Sequence, residues 1–146
     1  MGLGPTSHAA LPFVLRSFYG FFLPGPHEDK LGSERVVAHC AGWDWDVADY
    51  GEPGDNIMGP GNWKERDGLP ALGSLKNVVV VRPALLTDGE CAGDKVQDGQ
   101  KEPYRVSAGE LRGAWTISRS DTAHFVVDLV VNRWEEFKGK RVTIAY

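Results

Sequence analysis

Chemistry in this chain can begin at a strand end. Val78-Val79-Val80-Val81 is a run of β-branched apolar residues, closed by Arg82-Pro83 and then by Ala84-Leu85-Leu86-Thr87-Asp88-Gly89. Such a run predicts a strand buried on both faces, as in parallel sheets covered by helices. The proline ends the ladder where the strand leaves the sheet. Ligands of open α/β sheets bind at the carboxyl ends of the strands, so this segment marks a candidate binding edge. Thr87-Asp88-Gly89 reads equally as a plain turn. Lys30 and Glu34 stand one helical turn apart on one face of a predicted helix, as a surface ion pair or as part of a site.

The remaining reactive residue types form no constellation. Ser118 and Asp121 have the spacing of a capping box, which starts a helix. His8, His27, His39 and His124 are scattered, without a further ligand at metal spacing. They suggest no Ser-His-Asp triad. Cys40 and Cys91 are in no metal or redox spacing and read as free thiols. The run Trp43-Asp44-Trp45-Asp46 either lines a substrate pocket or packs the long segment that contains it.

Elements must position these residues. Leu11, Val14, Leu15, Phe18, Phe21 and Phe22 recur at helical spacing over Leu11–Leu23, and Pro24-Gly25-Pro26 ends that helix. A second helix runs from about His27 to Ala41, with Leu31, Val36, Val37 and Cys40 as its apolar side and Gly42 as its cap. Residues 43–76 are rich in Gly, Pro and Trp and read as a long insertion that packs onto the rest. After the valine strand come a polar loop over 88–103 and short strands at Tyr104–Val106 and Trp115–Ile117, expected as a hairpin. A helix opens at Ser118, carries Ala123, Phe125, Val126, Leu129 and Val130, and ends near Asn132. Arg141–Ala145 is the last strand. The alternation predicts an α/β fold.

The length of 146 residues suits one domain. A net charge of −4 argues against nucleic acid or a membrane surface as partner. No stretch has the apolar length of a membrane span. No basic segment precedes Leu11–Leu23, which therefore does not read as a signal peptide. The expected compartment is the cytoplasm.

Val81-Arg82-Pro83-Ala84-Leu85-Leu86-Thr87-Asp88-Gly89, then Tyr104-Arg105-Val106, then Ile117-Ser118-Arg119-Ser120-Asp121-Thr122-Ala123-His124-Phe125-Val126, resemble the C-terminal half of an atypical short-chain dehydrogenase/reductase. The nearest branches are the flavin-reductase-like and NmrA-like NAD(P)-binding proteins. The resemblance covers about residues 27–42 and 77–146. It implies a doubly wound, mostly parallel Rossmann-like domain and NADP or NAD as cofactor. It places Arg82, Pro83, Ala84, Leu85 and Thr87 beside the nicotinamide. Lys30 and Glu34 resemble the end of the family's Tyr-x-x-x-Lys-x-x-x-Glu segment, which makes Lys30 the candidate catalytic residue. Pro26 stands where that segment has its proton-donating Tyr.

The family's Gly-rich pyrophosphate turn has no counterpart here. On that alignment the chain lacks the first strands of the sheet and is the C-terminal part of the domain. The expected function is NAD(P)H-dependent reduction of a small carbonyl or flavin-like substrate. The alternatives are a non-catalytic NmrA-like dinucleotide sensor, which the missing Tyr favours, and an inactive fragment or interaction subunit. The expected partners are a dinucleotide and a small-molecule substrate, with self-association through an exposed sheet edge.

Overall fold

The computed structural model describes residues 24–96 and 103–146. The helix expected over Leu11–Leu23, His8 and part of the polar loop lie outside the described residues.

Helix α1 spans Pro24–Ala41, so it starts on the prolines expected to precede it. Proline is tolerated in a first turn, where its missing N–H would have had no partner. Gly42 closes the helix at φ 69°, with its N–H on the His39 carbonyl at 3.1 Å, as a left-handed cap requires. The deeply buried side of α1 is not the aliphatic one. Glu34, Ala38 and Ala41 are buried, whereas on the expected apolar side Cys40 is buried and Leu31, Val36 and Val37 are half-buried. That side turns a carboxylate towards an arginine of the sheet, and the insertion reaches the aliphatic side.

The insertion is ordered by short capped turns. Asp46 accepts from the Ala48 and Asp49 N–H groups and starts α2, Val47–Tyr50. Helix α3 is Asp55–Met58, and a single 3-10 turn follows at Trp63–Glu65, capped by Asn62. The returning chain is tied to the end of α1 by Leu75 N–H on the Cys40 carbonyl at 2.8 Å. The tryptophans pack, as one of the two expectations held.

The strands are β1 (Val80–Pro83), β2 (Leu85–Thr87), β3 (Arg105–Ser107), β4 (Thr116–Ser118) and β5 (Arg141–Ala145). One sheet has the order β1-β5-β3 and the other is the pair β2-β4. β1 runs parallel to β5, β2 parallel to β4, and β3 antiparallel to β5. The protein is thus mixed α/β with parallel strands. β3 and β4 do not form the expected hairpin. The Arg105 guanidinium, held by the carbonyls of Arg112, Gly113 and Tyr146, fixes the connecting residues so that β4 joins the other sheet.

The valine strand also differs from expectation. It begins at Val80, and Val78–Val81 are half-buried rather than enclosed on both faces. Among the described residues β1 is an edge strand, and proline is tolerated there as its last residue. At Ala84 the chain leaves the first sheet for the second.

Alternation divides the sheet chemically. Val142 and Ile144 of β5 join a core with Ile117, with Phe125 and Leu129 of α4 (Arg119–Val131), and with Phe137 of α5 (Trp134–Phe137). Registered pairing puts Val80 beside Arg141 and Arg82 beside Thr143 on the opposite face. That face meets α1 and the insertion.

Candidate functional site

Arg82 projects from β1 under α1 and is 2% exposed. Its Nε donates to both Glu34 carboxylate oxygens at 3.1 Å, and its Nη2 donates to Oε2 at 2.5 Å. Its Nη1 donates to Glu110 at 3.4 Å. Arg141 Nε lies 3.8 Å from the same Glu34 oxygen. One carboxylate therefore anchors a pair of guanidinium groups beneath the helix. Burial, then the positive charge of Arg82, pushes the Arg141 guanidinium below its usual value. Its plane is flanked by the rings of Trp43 at 4.8 Å, Trp45 at 5.8 Å and Tyr50 at 5.9 Å.

Lys30 sits one turn before Glu34 on the same side of α1 and is half-buried. Burial lowers its ammonium below the ordinary lysine value. Glu34 opposes that shift and Arg82 adds to it. The expected surface pair of Lys30 and Glu34 is thus corrected: Glu34 is 5% exposed and bonded to Arg82 across the helix–sheet junction. The spacing of Lys30 and Glu34 was legible. The inward aim of Glu34 was not, because its partner is 48 residues away.

The strand-end residues occupy different environments. Pro83 is half-buried and paired with Ile144. Ala84 is 4% exposed, packed in the core, with its N–H on the Ile144 carbonyl. Leu85 and Thr87 are half-buried in β2, and Thr87 donates its hydroxyl to the Ile117 carbonyl at 3.4 Å. Lys30 and Arg82 thus gather around Glu34, while Thr87 ends a parallel pair beside Ser118.

Beyond Thr87 and Ser118 lies a polar cluster that the sequence showed only as a helix cap. Asp121 is fully buried and accepts from the Gly93 N–H at 2.8 Å, the Ser118 hydroxyl at 2.9 Å and the Tyr146 hydroxyl at 2.5 Å. Burial raises its carboxyl. The hydrogen bonds, that of Tyr146 foremost, outweigh burial and hold it below the usual carboxylate range. His124 Nδ1 and the Tyr104 hydroxyl are 2.7 Å apart. Gly93 lies so close to that ring that a Cβ would come within 2.6 Å of Nδ1. Cys40 and Cys91 are free, and burial raises the Cys91 thiol. Among the described residues no group of His, Cys, Asp and Glu is arranged to hold a metal, and no helix is long and apolar enough to cross a membrane.

The chain is 33% identical over 139 residues to a curated protein named Reductase pytE, from Aspergillus terreus. The match covers 93% of this chain and 42% of that protein, so the chain spans less than half the length of its relative. No family model matches the chain, and no solved structure matches it. The chain therefore has a reductase among its relatives.

Proposed function

We propose that this chain is part of an NAD(P)-linked oxidoreductase of the short-chain dehydrogenase/reductase type, with a partial Rossmann-like fold and Lys30 as its proton-handling residue. The observation that carries this is the environment of Lys30. It is a half-buried amine with a lowered proton affinity, on a helix clamped to a parallel strand by Glu34 and Arg82, in a chain related to a reductase.

The residues fit a dinucleotide in part. Lys30 can meet ribose hydroxyls, and Pro83, Leu85 and Thr87 offer half-buried apolar and hydroxyl surface near the strand exit. Arg82, expected beside the nicotinamide, is 2% exposed and bonded to Glu34 and Glu110, so its part there would be to hold α1 on the strand rather than to touch the ring. A reduced nicotinamide supplies a hydride in such reactions. The chain's own part is to deliver a proton to the oxygen of a small carbonyl or flavin-like substrate. An ammonium of lowered pKa gives up that proton more readily than an exposed lysine. Pro26 has no proton to offer, so Lys30 carries this role without the family's Tyr.

Pro26 also favours a second reading, dinucleotide sensing without turnover. Calorimetric titration with NADPH and NADH, followed by oxidation assays with quinone, flavin and aldehyde acceptors, separates these readings. Saturable binding with turnover that Lys30→Ala abolishes is the expected result. Binding without turnover leaves the sensor, and the absence of saturable binding overturns both.

A further inference from the structure

The insertion has spent its residues on a cavity. A space of about 450 Å³ lies between α1, α3 and the segment from Trp63 to Leu69. That is within the range of small-molecule sites, roughly 300–1,000 Å³. It opens on the side of α1 carrying Asp29, Gly32, Ser33 and Val36. At about 100° per residue this side is centred roughly 130° round the helix from Lys30 and Glu34, and neither they nor Arg82 line the cavity. The cavity is therefore separate from the candidate reduction site.

Its walls are set by close contacts. At Gly32 any Cβ would come within 2.4 Å of Ile57 Cγ2, so glycine is what lets α3 approach α1. The Trp63 ring is held at its edge by His39, 5.2 Å away, and has the Arg35 guanidinium 5.4 Å from its centroid. Arg66 lies against Gly59, where a Cβ would meet Nη2 at 2.5 Å. The lining has an apolar part, Val36, Ile57, Met58, Trp63 and Leu69, and an exposed polar part, Asp29, Arg66 and Asp67.

We infer that this cavity binds a hydroxylated aromatic compound without net charge, of the phenolic-ketone kind. The aliphatic wall takes a flat ring system by apolar burial, and Trp63, whose ring already carries the Arg35 guanidinium at 5.4 Å and the Lys64 ammonium at 5.6 Å, meets it at an edge. The carboxylates of Asp29 and Asp67 accept from phenolic hydroxyls, and the Arg66 guanidinium donates to a carbonyl oxygen. A strongly anionic ligand would meet more carboxylates than cations in the lining. A cationic one is the nearer competitor, drawn by the two carboxylates, but it leaves the Arg66 guanidinium unmatched where a carbonyl oxygen would accept from it.

The probe is 4-hydroxybenzophenone, titrated calorimetrically into the chain beside benzoate and benzylammonium. Saturable binding of the phenolic ketone, tighter than either ion, is expected. Val36→Trp fills the space and should weaken binding at least about tenfold, and Asp67→Asn should weaken it measurably. No saturable binding to the wild type, preference for either ion, or full affinity in both variants overturns the inference. If circular dichroism shows Val36→Trp unfolded, Arg66→Gln and Asp67→Asn decide, and full affinity in both is then fatal to it.

Discussion

At the scale of single residues, Glu34 decides most. It neutralises Arg82 directly and stands 3.8 Å from Arg141, so removing it leaves buried guanidinium charge on the sheet face. Breaking one partner of a buried pair costs about 3–5 kcal/mol, whereas replacing both by apolar groups costs far less. Glu34→Leu and Arg82→Met should each fall in that range in urea unfolding, and the double variant should lose less than the sum. Additive losses would show that the pair is not coupled. Arg82→Met should also raise the Lys30 pKa by removing a cation that lowers it, which the pH dependence of Lys30 amine labelling reports. Asp121 gives a pH signature of its own. Its folded pKa lies below its unfolded value of about 3.9, so its contribution is present above that pH and is lost as pH falls through the folded pKa. The stability gap between wild type and Asp121→Asn should therefore be widest near neutral pH and narrow below about pH 4. A gap that stays constant in thermal melts across that range would remove the carboxylate from the account.

At the scale of elements, the contact of α1 with α3 rests on an absent side chain. Alanine improves helix propensity over glycine by about 1 kcal/mol. At Gly32 it also brings a methyl to 2.4 Å from Ile57. Overpacking of this kind costs about 1–3 kcal/mol, so Gly32→Ala should lower stability, while Gly32→Ala with Ile57→Ala recovers the propensity gain. A stabilised single variant in urea melts would mean that α3 shifts without cost. The sequence disclosed elements whose signals are local. Gly42 as the cap of α1, Ser118 and Asp121 at the start of α4, and the strand Arg141–Ala145 are each specified by neighbours along the chain. It did not disclose what depends on distant partners. β3 and β4 look like hairpin arms, yet each pairs with a strand remote in sequence. Glu34 looks solvated until Arg82 is placed beneath it. Only the turns of the insertion, such as Asp46 and Asn62 as caps, are local, and the cavity they enclose is not.

At the scale of the whole molecule, the described residues present an apolar stripe. Val126, Val127, Val130 and Val131 of α4 are 39%, 62%, 58% and 71% exposed and fall on one side of the helix, away from Phe125 and Leu129. Valine is a mediocre helix former, so local propensity does not account for this stripe. Among the described residues β1 has β5 on one edge and no strand on the other. Both features favour association, the first through apolar contact and the second through backbone pairing. They can be told apart because lysines on the stripe leave the β1 edge untouched. Sedimentation velocity should show the wild-type chain gaining mass with concentration. Val127→Lys with Val131→Lys should hold it monomeric at nearly unchanged melting temperature, since surface substitutions usually stay within about 0.5 kcal/mol. Undiminished association of the double variant would shift the contact from α4 to the strand edge, where a lysine added beside Val80 becomes the next variant to measure.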